Sequence, residues 1–271
     1  MPVHIVAQSG FDLENELYDR ARPSYQAFAL SYIHDALRST GPINVAEIGA
    51  GTGIFTRALL SHPQWATKIK QIKAVEPAPG MRNVLRKTIA DERVTVDDGT
   101  FENTGVDDHW ADMVLIAQAF HWCPDFDRAS AEFSRILKPE GLAVFIWNLE
   151  DRDQACWVAQ LRDRIERHEE GSPQFRLGLW RQVFDTNSYQ QFFLPPVEKT
   201  WHYVLQTTAE NAVDRASSKS YIAILPEVEK AEVQRDVRNI VLKGDGKVWI
   251  DEEKGIFEYP YQTLVVVALK K

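Results

Sequence analysis

The sequence predicts an α/β protein with a mostly parallel sheet of seven strands and helices on both faces. Short apolar runs alternate with segments whose apolar residues recur at helical spacing, and a glycine-rich turn joins the first run to the segment after it. This alternation is typical of parallel strands joined by right-handed crossovers. The length of 271 residues suits one large domain, or one domain with a cap.

A leading helix and then the strands follow in order along the chain. Apolar residues at three-and-four spacing over 25–37 predict the helix, because Pro23 precedes them and Gly41-Pro42 follows. A helical stripe that includes Leu137 is predicted to end in a turn at 138–141. The predicted strands are 43–48, 72–75, 94–96, 112–117, 142–147, 201–205 and 263–269.

The order changes after Asn148, where a charged helix is followed by an aromatic stretch over 175–193. We interpret this segment as a cap over the sheet edge, and a later helix is predicted to begin near Pro226. The aromatic residues of this region either line an apolar substrate chamber or belong to the core. They are Trp147, Trp157, Trp180, Phe192 and Phe193.

Composition and charge exclude several classes of protein. The 31 Lys and Arg residues against 39 Asp and Glu give a formal net charge of −8, so no broad basic surface for nucleic acid is expected. Cys123 and Cys156 are too few for a disulfide framework, which indicates a reducing, cytoplasmic location. Neither a signal peptide at the start nor an apolar run of membrane-spanning length is found, so no membrane partner is expected.

The glycine-rich turn at 49–53 places backbone N–H groups at the carboxyl edge of the sheet, where open α/β folds bind ligands. The dinucleotide fingerprint requires a sixth-position glycine, which is Ile54 here, and no Gly-Lys-Ser or Gly-Lys-Thr follows Gly53. Glu47 lies just before the turn, and Glu76 ends the second strand, where a carboxylate accepts ribose hydroxyls. A nucleoside that carries an amino acid suits both carboxylates.

With these features the chain resembles class I S-adenosylmethionine-dependent methyltransferases, from about residue 18 to residue 148. The resemblance rests on Glu-Ile-Gly-Ala-Gly-Thr-Gly at 47–53, Glu76-Pro77 with Met81, Gly-Thr-Phe-Glu at 99–102, Gln-Ala-Phe-His-Trp at 118–122 and Leu-Lys-Pro-Glu-Gly at 137–141. It implies a Rossmann-like core, S-adenosylmethionine as cofactor and S-adenosylhomocysteine as product.

Within that family the chain is similar to the branch of quinone-biosynthesis and trans-aconitate methyltransferases. Tyr18, Arg22-Pro23 and Tyr25 match its leading segment, and 215–221 and 259–263 match segments of its small-molecule members. A group of thiomethyltransferases that cap dithiols such as reduced gliotoxin is also similar. The resemblance implies lid helices over 1–42, a cofactor-binding core over 43–150, a helical cap over 151–197 and completion of the sheet over 198–271.

The resemblance also assigns roles to single residues. Tyr18 and Tyr25 would fold over the cofactor, Glu76 would hold the ribose, and Ala117 and Gln118 would lie beside the sulfonium. Glu47, Gly49, Ala50 and Gly51 would hold the methionine part, and Met81, Gly99, Thr100 and Phe101 would surround the adenine. Phe101 departs from the small residue that is usual at its position.

For catalysis, His121 is the candidate general base and Tyr18 a candidate orienting residue, although both residue types are also ordinary packing residues. The acceptor is expected to be a small metabolite or natural product of secondary metabolism that offers a thiol, a carboxylate or another heteroatom. No metal is expected, and the chain is expected to be a monomer or a weak homodimer. Two alternatives stay open: a pericyclase-like or binding protein that keeps the cofactor without methyl transfer, and a nucleotide-dependent oxidoreductase.

Overall fold

A computed structural model describes residues 15–271 and shows one sheet with helices on both faces. The strands are β1 Ile43–Ile48, β2 Ile69–Val75, β3 Val94–Asp97, β4 Ala111–Ala117, β5 Leu137–Glu150, β6 Val197–Thr207, β7 Trp249–Asp251 and β8 Ile256–Leu269. Their order is β3-β2-β1-β4-β5-β8-β6, with β7 paired to β8. The first five strands in chain order pair in parallel, and β8 lies antiparallel between β5 and β6.

The helices within the described residues include the predicted helical segments and also others that the sequence does not predict. They are α1 Asn15–Ala21, α2 Ala27–Ala36, α3 Ile54–Ser61, α4 Pro63–Ala66, α5 Pro79–Thr88, α6 Phe126–Ile136, α7 Cys156–Glu166, α8 Asn187–Phe192, α9 Ala209–Ser217, α10 Ser220–Ala223 and α11 Glu227–Lys243, with 3-10 turns at Phe120–Trp122, Phe175–Leu177 and Leu179–Asp185. The predicted leading helix is α2, and the helix expected near Pro226 is α11. Within residues 15–271 no helix is long and apolar enough to cross a membrane.

Alternation along the strands builds a core on each face of the sheet. Ala46 and Ile48 of β1 pack on one face with Phe133 of α6, whereas Val45 packs on the other face with Phe55 of α3. Side chains of a strand point to opposite faces in turn, so a buried sheet needs apolar residues at both parities. A third core joins α7, α9 and α11 to β8.

The structure corrects the prediction in three places. Leu137, assigned to a helical stripe, is the first residue of β5, and 138–141, predicted as a turn, lies inside that strand. The last strand begins at Ile256 rather than at residue 263. Within residues 15–271 the sheet has eight strands rather than seven, because the three-residue β7 pairs with β8 and is too short to show a periodic pattern. Residues 1–14 of the predicted lid segment lie outside the described residues.

Candidate active site

The glycine-rich turn leaves β1 in a conformation that glycine adopts most readily. Gly49, Gly51 and Gly53 have φ of 72°, 59° and 83°, and α3 begins at Ile54. A Cβ on Gly49 would lie 2.7 Å from the Cβ of Ala119, whereas a Cβ on Gly51 would meet nothing within 4 Å. Gly49 therefore permits a close approach of two chain segments, and Gly51 has open space above it.

Glu76 is fixed at the end of β2 by two backbone amides. Its Oε2 accepts a hydrogen bond of 2.9 Å from the Gly51 N–H, and its Oε1 accepts one of 2.9 Å from the Ala78 N–H. Only 7% of the residue is exposed. The carboxylate is thus held beside the turn, as the register of parallel β1 and β2 requires.

A first cavity of about 900 Å³ opens over this turn. Ten of the thirteen residues predicted to hold a ligand line it: Tyr18, Gly49, Gly51, Glu76, Met81, Gly99, Thr100, Phe101, Ala117 and Gln118. It is also lined by seven residues for which the sequence predicts no role: Ile48, Pro77, Ala78, Glu102, Ala119, Trp122 and Pro124.

The other three predicted residues lie behind the wall of the first cavity rather than on it. Ala50 donates its N–H to the Val75 carbonyl, and Tyr25 packs edge-on against Phe55 with ring centroids 4.5 Å apart. The carboxylate of Glu47 is 1% exposed and accepts a 2.6 Å hydrogen bond from Thr56 Oγ1. Burial raises the pKa of Glu47 to about 7, and burial also raises that of Tyr25.

Gln118 has a left-handed backbone that its sequence position does not reveal. Its φ is 58°, uncommon for a residue with a side chain, and its Nε2 donates to the Asn148 carbonyl at 2.6 Å. Strained residues of this kind are found preferentially at functional sites. Gln118 lines both the first cavity and a neighbouring second cavity.

The second cavity, of about 550 Å³, shares Tyr18, Gln118 and Trp122 with the first. The other residues that line it are Arg22, His121, Asn148, Leu149, Arg162, Gln174, Phe175, Arg176, Arg215, Lys219, Ser220 and Tyr221. Segments as distant in sequence as residues 18 and 221 meet here. Tyr18 takes part in both cavities, and the guanidinium of Arg22 lies 4.5 Å from the centre of its ring.

His121 lines the second cavity in a defined protonation state. Trp147 Nε1–H can only donate, and it lies 3.3 Å from His121 Nδ1, so Nδ1 accepts. Burial lowers the pKa of His121 to about 3, and the cations Lys219 and Arg22 add to this effect. The ring is neutral with its proton on Nε2, which favours a hydrogen-bond donor over the general base predicted from the sequence.

The aromatic residues that the sequence suggests as the lining of a substrate chamber mostly belong to the core. Trp147, Trp157 and Trp180 are at most 1% exposed and Phe193 is 3% exposed, and none of these residues or Phe192 lines the first or the second cavity. Phe175, at the start of the same stretch, does line the second cavity.

Comparison with known proteins gives consistent matches. A family described as a methyltransferase domain matches residues 46–145. An uncharacterised methyltransferase-like protein of Schizosaccharomyces pombe is 31% identical over 226 residues, 82% of this chain and 82% of that protein. An uncharacterised methyltransferase of Mycobacterium bovis is 30% identical over 224 residues, 83% of this chain and 82% of its own length.

Solved structures agree in fold. The YcgJ protein of Bacillus subtilis superposes with a TM-score of 0.56 and 16% identity, covering 91% of this chain and 99% of that one. At this identity the likeness shows the shared architecture, including the sheet over whose carboxyl edge the first cavity opens.

Proposed function

Because the chain belongs to the class I S-adenosylmethionine-dependent methyltransferases, we propose that it binds S-adenosylmethionine in the first cavity and methylates a small-molecule acceptor held in the second. The observation that most directly supports the proposal is the hydrogen bond from Gly51 N–H to the Glu76 carboxylate, because both residues lie on the wall of the first cavity. The branch within the family, the cytoplasmic location and a place in secondary metabolism stay predictions. The comparisons give no support to the oxidoreductase or to a protein without transfer.

The residues present fit this cofactor. Glu76 offers a carboxylate to ribose hydroxyls, and the open backbone of Gly51 leaves room for the methionine part, next to Gly49. Met81 and Phe101 offer apolar surface to the adenine, with Gly99 and Thr100 at its edge. When bound, S-adenosylmethionine supplies a methyl group already activated by a positive sulfur.

Further contacts are proposed for residues at the rim and behind the wall. Ala117 and Gln118 lie where β4 opens onto both cavities, which suits positions beside the sulfonium. Tyr18 covers the join between the cavities, and Tyr25 supports the lid through its contact with Phe55. Glu47 and Ala50, which do not line the first cavity, are proposed to hold the methionine end from behind the turn.

These residues contribute mainly alignment. In-line transfer to a positioned acceptor gains about 7 to 11 kcal/mol from orientation alone, so a dedicated base is not required for an acceptor that is already ionised. Gln118, fixed by the Asn148 carbonyl, is an anchored polar group at the join between the cavities, and the neutral His121 ring is a second one on the wall of the second cavity.

Titration calorimetry with S-adenosylhomocysteine and with NADH tests the proposal. We expect S-adenosylhomocysteine to bind and NADH not to bind, and the reverse result would contradict the assignment. Glu76→Ala should weaken S-adenosylhomocysteine binding by about 1 to 3 kcal/mol, because ribose hydroxyls lose a charged acceptor.

A matched pair of glycine variants tests where the cofactor lies. Gly51 and Gly105 both have positive φ, and a Cβ added to either would meet open space, but only Gly51 lines the first cavity. Both Gly51→Val and Gly105→Val carry the same backbone strain, and only Gly51→Val should abolish S-adenosylhomocysteine binding. Equal affinities for the two variants would show that the ligand does not cross the turn.

A further inference from the structure

The second cavity is rich in cationic side chains that come from four separate parts of the chain. Arg22 follows α1, Arg162 lies on α7, Arg215 on α9, and Lys219 just before α10, and all four line the cavity with Arg176. Arg162, Arg215 and Lys219 are at most 9% exposed. Buried cations of this number are rare unless carboxylates neutralise them.

One carboxylate, that of Glu150 at the end of β5, forms ion pairs with three of these cations. Its oxygens lie 2.8 Å from Arg162 Nη1, 2.8 Å from Arg215 Nη2 and 3.1 Å from Lys219 Nζ. Arg22 differs, since no carboxylate of residues 15–271 lies within 4.0 Å of its guanidinium, whose Nη2 donates to the Ser218 carbonyl instead.

Two other carboxylates pair with cations of the cavity wall, and the net charge of the wall stays positive. Glu166 pairs with Arg162, and both Glu166 and Glu169 contact Arg176. Within the described residues, five basic groups of the cavity wall therefore face three carboxylates at ion-pair distance. This leaves an excess of two positive charges when Lys219 is protonated and of one when it is neutral. An excess of this kind in a poorly hydrated cavity attracts an anion.

Donor groups of the cluster are also left without partners. Arg22 Nε and Arg215 Nη1 are shielded from solvent and have no hydrogen-bond acceptor within the described part of the chain. A buried charged donor without an acceptor costs more than the average hydrogen bond gains. Burial, and then the charge of Arg215, lower the pKa of Arg22 to about 10, and burial and Arg215 hold the pKa of Lys219 well below its usual value.

The chemistry of the wall distinguishes between oxyanions. Phosphate sites in α/β proteins commonly use glycine-rich backbone cradles, and among residues 15–271 none that lines the second cavity is a glycine. The donor groups of these residues include the guanidinium groups of four arginines and the ammonium of Lys219, together with neutral polar side chains. Guanidinium forks match the two oxygens of a carboxylate, and Leu149, Phe175 and Tyr221 leave apolar surface for a short carbon skeleton.

We infer that the methyl acceptor carries a carboxylate and that this carboxylate binds between Arg22, Arg215 and Lys219 in the second cavity, an inference that rests on the proposed function. The anion offsets the excess positive charge of the cluster and reduces the repulsion among its cations. The cluster thereby selects acidic acceptors over neutral ones of the same shape.

The test is calorimetry with malonate, succinate, glutarate and adipate, titrated into protein saturated with S-adenosylhomocysteine, and with the four corresponding diamides. At least one acid should bind and every diamide should fail. Failure of all acids, or equal binding of acid and diamide, overturns the inference. Tighter binding of glycerol phosphate than of every dicarboxylate also overturns it in favour of a phosphate-bearing acceptor.

The same series separates the inference from the proposed function. Protein that binds S-adenosylhomocysteine but no acid retains the proposed function and loses the inference. Protein that fails to bind S-adenosylhomocysteine loses the proposed function, and the acids are then titrated into ligand-free protein, where binding would identify an anion site without a methyltransferase role.

Two variants of the same segment locate the carboxylate. Arg22→Met removes a cation of the second cavity that makes no ion pair within residues 15–271, and Arg20→Met removes a cation that pairs with Asp214 outside it. Arg22→Met should weaken the bound acid about tenfold or more, and Arg20→Met less than about twofold. Equal effects would show general attraction by charge rather than a site.

Lys219→Met provides a second, independent variant. Glu150 keeps Arg162 and Arg215 as partners in this variant, so the fold should persist. The dicarboxylate affinity should fall about tenfold or more. Retained affinity in both Arg22→Met and Lys219→Met would place the acid elsewhere and overturn the inference.

Discussion

Two buried glutamates of the same sheet show how different neighbours give one residue type two charge states. Glu47 of β1 is 1% exposed and Glu150 of β5 is 4% exposed. Burial raises the pKa of Glu47 to about 7, because hydrogen bonds from Thr56 and the charge of Arg57 offset the effect of burial only in part. No cation of residues 15–271 forms an ion pair with this carboxylate. Burial acts on Glu150 too, but Arg215, Lys219 and Arg162 hold its pKa well below the usual value.

The comparison predicts that the two glutamates respond in opposite ways to loss of charge. Glu150→Gln leaves the buried cations around it without their anion, and removing one partner of a buried ion pair costs about 3 to 5 kcal/mol. We expect a fall of this size in the free energy of unfolding, measured by urea denaturation at pH 7. Asp163→Asn, which removes an exposed partner of Arg152, should cost less than about 1 kcal/mol.

A double variant tests whether unpaired charge causes the loss of stability in Glu150→Gln. Adding Lys219→Met to Glu150→Gln removes one of the stranded cations, so part of the lost stability should return. Additive losses in the double variant would instead indicate that Glu150 contributes packing, and the electrostatic contrast with Glu47 would not hold.

The region around Glu47 could be predicted from sequence because its signals are local. The apolar run of β1, the glycines at 49–53 and the carboxylate at the end of β2 lie close together in the chain, and parallel pairing brings them together in space. Ten of thirteen predicted residues line the first cavity for this reason. The exceptions, Tyr25, Glu47 and Ala50, depend on which way a side chain points, which spacing does not determine.

The region around Glu150 could not be predicted in the same way. Arg22 and the segment 215–221 are recognisable in the sequence only as matches to a family, with no role for Arg215 or Lys219. Their meeting with Arg162 depends on how α7, α9 and α10 pack over the sheet edge. The sequence offers one signal here, which is a charged residue such as Arg215 within an apolar helical stripe. This signal predicts that the residue is buried, but it does not identify the group with which the residue pairs.

A second prediction concerns the pH dependence that Glu47 imposes on stability. Its folded pKa of about 7 is above the value of 4.5 for an unperturbed carboxyl, so the folded protein holds the proton more tightly. The stability that the folded protein gains by holding the Glu47 proton is therefore complete below pH 4.5 and is lost as pH rises to about 7. The loss is at most about 3 kcal/mol.

Glu47→Gln should remove that dependence. The free energy of unfolding of the wild type, measured relative to Glu47→Gln at about pH 4.5 and about pH 8, should be lower at the higher pH. The same exchange at the exposed Glu232 of α11 should change stability by less than about 0.5 kcal/mol at both pH values. If the difference in stability between the wild type and Glu47→Gln does not vary with pH, Glu47 is charged in the folded protein at both pH values, as Glu150 is.

The smallest predicted effect is at Thr56, which makes the hydrogen bond to Glu47. Thr56→Val keeps the shape of a fully buried side chain and removes that bond, so stability should fall by about 1.5 kcal/mol at about pH 8 and by less at about pH 4.5, where the carboxyl is neutral. Thr52→Val is the matched control, since the buried Thr52 hydroxyl has no hydrogen-bond partner within residues 15–271. Its removal should be neutral or stabilising, because no bond is lost. Equal losses in the two variants would mean that a hydroxyl at either position matters for packing alone, and that the Thr56 hydrogen bond does not oppose the effect of burial on the pKa of Glu47.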